Sequence, residues 1–335
     1  MRFFHPEPPA INPKIYPAFI PFAGCPERCV FCAQEAQTGR KDFSTPLLLD
    51  EIERAFSAPD RGDRVELAFY GGTFTALDID TRRALLKLAA RLKAQGKISR
   101  VRCSTRPDAV TPEDLDAMRA QGLDCIELGV QSFCAEPLSA SRRNYTGEAA
   151  YSACRLVRQS GLELGIQLMP GMPGMRRAHF EEDIKLCLEL KPEFMRLYPC
   201  LVLKNTRLEA MWRSGAYTPW NEALVLELLP GAMLALWEHG IRIIRLGLAP
   251  EKTLEGQILA GAHHPALGQS LRSLALLAFI RKTLPALPKG KTLYVPRRFQ
   301  GEFFGHKGNL KPDYAQMGIT AAAVRWRENN CFEIK

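Results

Sequence analysis

Residues 24–32 read Gly24-Cys25-Pro26-Glu27-Arg28-Cys29-Val30-Phe31-Cys32. Three thiols stand on one short loop at the spacing Cys-x3-Cys-x2-Cys. Three thiolates so placed can hold three irons of a [4Fe–4S] cube and leave the fourth iron without a protein ligand. A cluster held by four cysteines is closed and mostly carries electrons. A structural zinc site wants four Cys or His ligands, and no second pair follows at zinc-ribbon spacing. A disulfide is disfavoured by the odd number of cysteines here and by the reducing compartment expected for this chain. The remaining alternative is three buried cysteines brought together by chance.

Around this loop, short apolar runs alternate with helical patterns, as βαβ units require. Strands are predicted at 15–22, 65–70, 100–105, 125–130, 162–169 and 194–199, with helices at 81–95, 112–121, 147–160 and 180–190. Thr111-Pro112-Glu113-Asp114 is a well-formed helix start, with a capping threonine, a first-turn proline and acids at the positive end of the dipole. Six such units predict a parallel sheet. Periodicity does not decide whether it is open or curled. The cysteine loop follows the first strand. Beyond about residue 205 the pattern changes: a helix near 221–239, an apolar run at 241–248, a helical stretch at 271–283, a Pro/Lys linker, then a basic and aromatic tail.

The strand ends carry further motifs. Tyr70-Gly71-Gly72-Thr73-Phe74 closes the second strand, and paired glycines let the backbone approach a ligand closely. Cys103-Ser104-Thr105-Arg106-Pro107-Asp108 ends the third, Glu127-Leu128-Gly129-Val130-Gln131-Ser132 the fourth, and Gln167-Leu168-Met169-Pro170-Gly171-Met172-Pro173-Gly174 the fifth. Leu197-Tyr198-Pro199-Cys200 and Leu208-Glu209-Ala210-Met211-Trp212 follow. In this order, over roughly residues 15–220, the motifs resemble the radical S-adenosylmethionine (radical SAM) enzymes, and among them the radical SAM domain of Elongator's catalytic subunit. Gly129-Val130-Gln131 is also similar to oxygen-independent coproporphyrinogen oxidase.

The resemblance implies an α/β fold, a partial (β/α)6 TIM-like barrel at 1–220, with a small basic C-terminal domain at 221–335. The active site of such a barrel lies at the C-terminal ends of its strands. It implies a [4Fe–4S] cluster on Cys25, Cys29 and Cys32, and S-adenosylmethionine on the open iron. One electron then splits the S–C5′ bond into methionine and a 5′-deoxyadenosyl radical, so the cofactor carries the hard chemistry. The cofactor-binding set implied is Gly71, Gly72, Thr73, Arg106, Gln131, Arg143 and Gln167. Gly71 and Gly72 contact the methionine amino group through backbone carbonyls. Arg143, with Arg142 as the neighbouring alternative, pairs the methionine carboxylate, which suits a guanidinium fork. Gln167 stands where the oxidase has an aspartate for the ribose hydroxyls, and an amide also bonds a hydroxyl. A low-potential electron donor such as flavodoxin or ferredoxin is the implied partner. The acetyltransferase domain of Elongator's subunit has no counterpart in 221–335, so acetyl transfer is not carried over.

Composition sets the remaining bounds. The chain has 335 residues, 46% hydrophobic and 24% charged, room for a large domain and a smaller one. No secretory signal and no eighteen-residue apolar stretch are found, so a cytoplasmic, membrane-free setting with reduced thiols is expected. Of the net charge of +9, residues 281–335 supply +7, from eleven Lys/Arg against four Asp/Glu. A basic end fits an anionic partner, most simply RNA. Aromatics interleaved with its Lys/Arg suit stacking on bases; the alternative is a small sheet with buried aromatics and a wet basic face. Most of the remaining cysteines read as buried small hydrophobes, with lining of the substrate cavity the alternative for Cys103 and Cys200 near strand ends, and His263-His264 reads as exposed or capping, with metal ligation the alternative. The expected activity is hydrogen abstraction from an RNA nucleotide. The alternatives are a porphyrin or other small-molecule oxidoreductase, and a non-catalytic iron–sulfur RNA-binding protein.

Overall fold

The computed structural model describes residues 1–9, 14–35, 39, 43–57, 65–248 and 254–335, which include every expected site residue. The strands in chain order are β1 (Arg2–Phe3), β2 (Lys14–Phe19), β3 (Val65–Tyr70), β4 (Arg100–Thr105), β5 (Cys125–Gln131), β6 (Glu163–Leu168), β7 (Phe194–Leu197), β8 (Val202–Leu203), β9 (Arg242–Leu246), β10 (Ile258–Ala260), β11 (Leu293–Pro296), β12 (Val324–Arg327) and β13 (Phe332–Ile334). Helices Ile79–Ala94, Pro112–Ala120, Gly147–Gln159 and Arg177–Leu190 return the chain between successive strands from β3 to β7. Their starts follow the local chemistry: Thr111 and Thr146 each accept a backbone N–H as N-caps.

Among the described residues the main sheet has seven strands in the order β2-β3-β4-β5-β6-β7-β9, each pair parallel. It is curled. Arg196 of β7 donates to the Tyr70 hydroxyl of β3 at 2.6 Å. Four strand spacings would hold those strands about 19 Å apart in a flat sheet. The sheet is therefore a partial barrel, with seven strands where six were expected. The added strand is β9: the apolar run after helix Glu222–Glu238 lies parallel to β7, so that helix is one more crossover.

Two features cross the expected division at residue 220. β9 belongs to the barrel sheet, and β1 joins a separate four-stranded sheet in the order β1-β13-β11-β12. This sheet closes over a second core that includes Phe3, Phe279, Phe299, Phe303, Tyr314 and Phe332. Phe303 and Tyr314 stack with centroids 4.3 Å apart and are both fully buried. Phe299, Phe303 and Tyr314 of the basic tail thus belong to a core, while Phe304 and Trp326 are half-buried and pack against it. The second arrangement weighed for the tail, buried aromatics beneath a wet basic surface, is the one present. No helix among the described residues is long and apolar enough to cross a membrane.

The barrel interior is lined with charge. Side chains alternate across a strand, so positions two apart share a face. Arg100 meets Glu163 at 2.6 Å, Arg102 makes a two-pronged bond to Glu66 at 2.6 and 3.0 Å, and Arg196 pairs Glu127 at 2.8 Å. Arg102 also lies 3.6 Å from Glu127 and over the Phe194 ring. Acid and base alternate up the inside of the sheet, and the last members, Arg196 and Tyr70, reach the floor of the cavity described next.

Candidate active site

The cysteine loop is locked to the end of β3. Ile20 donates its N–H to the Tyr70 carbonyl at 2.8 Å, and Thr73 donates to Ala23 at 2.8 Å. A Cβ on Gly72 would stand 2.2 Å from the Ala23 carbonyl oxygen; one on Gly24 would stand 2.4 Å from that of Thr73. Only glycine permits two backbones to interlock so closely. What Gly72 approaches is the loop itself, and this close contact seats the cysteines on the barrel. Gln34 completes the joint, accepting from the Phe22 N–H at 2.5 Å and donating to the Gly71 carbonyl. On the outer side, Val30 packs with Leu208 and Tyr217, and its carbonyl accepts from Leu208 at 2.8 Å.

A cavity of about 440 Å³ opens at the C-terminal ends of the strands. That volume is in the ordinary range for a small-molecule site, roughly 300–1,000 Å³. All ten expected residues line it: Cys25, Cys29, Cys32, Gly71, Gly72, Thr73, Arg106, Gln131, Arg143 and Gln167. Arg142 does not; it is exposed, with φ +54°. Cys103 and Cys200 are buried and lie outside the lining.

The thiols are spread along the wall. Cys25 Sγ lies 3.2 Å from the Thr73 hydroxyl, and Cys29 Sγ lies 3.3 Å from Arg143 Nη1 and 4.0 Å from Arg106 Nη1. Among the described residues no three His, Cys, Asp or Glu side chains converge as one metal ion would need. Cysteines at three corners of a cube each bind a different iron, so they need not meet at one point. Burial, then the neighbouring Cys29 and Cys25, pushes the Cys32 thiol up to about 12.

Arg143 is buried, and burial opposes its charge. The Tyr145 hydroxyl and the Cys29 sulfur outweigh that and hold its pKa above the usual arginine value. Nε donates to Tyr145 at 2.5 Å, and Nη2 donates to the Gly129 carbonyl. Arg106 is held differently, by two bonds to Asp108 at 2.7 and 2.9 Å. Gln131 has φ +67° and follows an irregularity in the β5–β6 ladder. That strained backbone turns its side chain toward Gln167, which donates to it at 3.2 Å. The turn is held by Asp183 of helix Arg177–Leu190, whose carboxylate accepts from Phe133 N–H at 2.7 Å and Ser132 Oγ at 3.1 Å. Burial raises the Asp183 carboxyl to about 7.

Sequence reasoning missed Tyr70, Glu127, Arg196 and Tyr198, which form the cavity floor. Arg196 donates to both phenols, at 2.6 and 3.0 Å. A signal was present: charged residues at alternate positions within strands of a parallel sheet, where near-continuous apolar runs are the rule. Gln34 and Asp183 carried no such signal, because their roles depend on contacts distant in sequence.

Comparison with known proteins agrees with this geometry. Residues 19–187 match the Radical SAM superfamily, and residues 192–274 match the Radical_SAM C-terminal domain. A tRNA uridine(34) acetyltransferase of Methanocaldococcus jannaschii is 30% identical over 267 residues, 66% of this chain and 49% of that protein. Elongator complex protein 3 of Mus musculus is 27% identical over 207 residues, 55% of this chain and 37% of that protein. The chain spans about half the length of the archaeal relatives it matches. Among solved structures, the Methanocaldococcus infernus Elp3 with an N-terminal deletion superposes with a TM-score of 0.61 at 23% identity, covering 81% of this chain and 63% of that one. Coproporphyrinogen III oxidase from Escherichia coli gives 0.52 at 23% identity, covering 70% and 54%. These structural likenesses show a shared fold. With half of its length matched by the superfamily and its three cysteines on the wall of the barrel cavity, the chain belongs to the radical SAM superfamily, and its relatives include the Elongator-type proteins.

Proposed function

We propose that this chain cleaves S-adenosylmethionine reductively and uses the resulting radical on an RNA nucleotide. One observation carries the reading: a single cavity brings the three thiols together with Gly71, Gln131, Arg143 and Gln167. The donor set fits a cube. Desolvation raises the Cys25 and Cys32 thiols above their ordinary value, and bound iron would relieve that by stabilising the thiolates. Cys25, Cys29 and Cys32 would hold the cluster. When bound, it would supply the electron for reductive cleavage of the S–C5′ bond of S-adenosylmethionine, the source of the 5′-deoxyadenosyl radical.

The chain's own residues bind and orient. Arg143 offers a buried guanidinium beside Cys29 for a carboxylate. Gln131 and Gln167 present amides for hydroxyl groups. Tyr70, Arg196 and Tyr198 supply a polar floor for the substrate. The RNA assignment draws on relatives named for tRNA uridine modification and on the basic C-terminal unit, which offers phosphates a cationic surface.

The test has two readouts. Anaerobically reconstituted protein with a strong reductant is expected to release 5′-deoxyadenosine. Modified nucleosides in RNA from cells with and without the protein, compared by mass spectrometry, are expected to differ. Failure of the first overturns the enzyme reading. Cleavage without any change in a nucleoside moves the substrate to a small molecule.

A further inference from the structure

Beside the main cavity lies a second one of about 150 Å³, and the two share Pro199, Leu201, Arg245 and Leu248. Its polar lining is cationic or neutral: Arg245, His263, His264 and Gln269, with no carboxylate among the described residues. Arg245 decides the matter. It stands in register opposite Arg196 in the β7–β9 pair, just past an irregularity in the ladder. Arg196 is balanced by Glu127 at 2.8 Å. Arg245 has no hydrogen bond or acidic partner among the described residues. Like charges on adjacent strands are unfavourable, so an arginine without an acidic partner among the described residues, beside a paired one, leaves positive potential at the mouth of the active cavity.

The C-terminal unit brings a further imidazole to this rim. His306 comes within 6.0 Å of His264, ring to ring. It sits in the turn Gly305-His306-Lys307-Gly308, where Lys307 has φ +52° and a Cβ on Gly305 would stand 2.1 Å from Asn309. Non-glycine residues hold such backbone only when their surroundings fix it. The turn therefore presents His306 to the cavity's rim as a built feature.

We propose that this side cavity is a phosphate subsite. Arg245 with His263 and His264, backed by His306, binds a phosphate of the substrate and so fixes the reacting nucleotide in the main cavity. The inference rests on the nucleotide reading above and adds the place where the nucleotide is held. A guanidinium matches the geometry of phosphate oxygens, and the small volume suits a compact anion better than a nucleoside. The phosphate has two sources, the backbone of an RNA strand or a free nucleotide, and the experiment separates them.

The reconstituted full chain is tested for binding total small cellular RNA over a series of salt concentrations, and separately for binding mixed ribonucleoside monophosphates and inorganic phosphate. Arg245→Ala with His264→Ala is expected to weaken RNA binding at least about tenfold and to flatten the log–log salt slope by about 1 for each phosphate that the variant no longer neutralises. Arg245→Ala alone, on an exposed side chain, is expected to show the same direction with the fold intact by circular dichroism. Lys289→Ala with Lys291→Ala removes two exposed charges elsewhere in the C-terminal unit and is expected to stay within about twofold, the measure of diffuse phosphate attraction. Equal RNA affinity and slope in wild type and the Arg245 variants overturn the subsite and leave the RNA reading standing. Arg245-dependent binding of monophosphates without RNA binding supports the subsite and overturns the RNA reading. Binding of neither RNA nor phosphates by the wild type overturns both.

Discussion

Arg143 and Cys29, 114 residues apart in the chain, meet with a guanidinium nitrogen 3.3 Å from the sulfur. The same guanidinium holds Tyr145 and the Gly129 carbonyl, so one side chain ties the end of β5 to the cysteine loop. No carboxylate answers it among the described residues. A buried arginine with only a thiol and two neutral acceptors is ready for a carboxylate, and the methionine end of S-adenosylmethionine carries one. Arg143→Ala is expected to weaken S-adenosylmethionine binding by about 2–5 kcal/mol, the usual cost of truncating a desolvated charge pair. Arg142→Ala, at an exposed position outside the cavity, is expected to leave it unchanged. Titration calorimetry on reconstituted protein checks both. A severe Arg142 variant beside a silent Arg143 variant would transfer the role to the neighbour.

The three thiols line one wall, and each has a different immediate neighbour. Reconstituted wild type is expected to bind about four irons, one cube per chain. The triple change Cys25→Ala, Cys29→Ala, Cys32→Ala is expected to bind none, while Cys103→Ala and Cys200→Ala keep full loading. Iron and sulfide analysis decides it, and full loading of the triple variant would refute the assignment.

Gly72 offers a steric test of the joint between the loop and β3. A methyl there would stand 2.2 Å from one carbonyl oxygen and 2.6 Å from another, both backbone atoms that cannot rotate away. Gly72→Ala is expected to lower the melting temperature and the iron content together, because the loop must shift to make room. Gly231→Ala, with nothing within 4 Å of the added carbon, serves as the comparison and is expected to be neutral or slightly stabilising. Normal iron loading in the Gly72 variant would contradict the interlock.

Much of this architecture was legible because local signals agreed with one another. Val65–Tyr70 and Arg100–Thr105 are strands with the bounds read from apolar runs, and Thr111 caps the helix that its sequence announces. The ten expected residues share one cavity because they lie near the C-terminal ends of the barrel strands or on the segments that follow them, where a barrel gathers them. β9 was less legible, since its membership of the sheet depends on a helix passing over the barrel rather than on its own sequence. The tail misled in part: alternating aromatic and basic residues describe a stacking surface and a half-buried sheet equally well. Phe303 is buried against Tyr314 and Trp326, partners 11 and 23 residues away that no local window contains. Arg106 shows the same limit at the site, because its bond to Asp108 is local while its approach to Cys29 is not.

The charged interior makes a separate prediction about stability. Glu66 is the sole acid bonded to Arg102 at hydrogen-bond distance among the described residues, and both side chains are buried. Glu66→Ala would leave the buried Arg102 guanidinium with only Glu127, at 3.6 Å, and is expected to cost up to about 3–5 kcal/mol, as removal of one partner of a buried pair does. Glu66→Gln keeps an acceptor and is expected to cost less. Denaturant unfolding of the two variants gives the order, and equal stability of Glu66→Ala and wild type would show that the ladder contributes nothing.

Asp183 links stability to pH. Its carboxylate holds the turn that carries Gln131, and burial raises its pKa to about 7 in the folded chain, against about 3.9 when exposed. Between those values the folded state binds more protons than the unfolded state. The favourable contribution of neutral Asp183 is therefore complete below about pH 4 and is lost as pH rises through about 7. Asp183→Asn cannot ionise, and its amide oxygen still accepts from the Phe133 N–H. The variant is expected to match wild type below about pH 4 and to exceed it near about pH 8 by an amount on the order of a few kcal/mol. Unfolding measured at the two pH values provides the check. A variant less stable than wild type by the same margin at both would show that the ionised carboxylate, rather than any acceptor of its shape, is what holds the turn under Gln131.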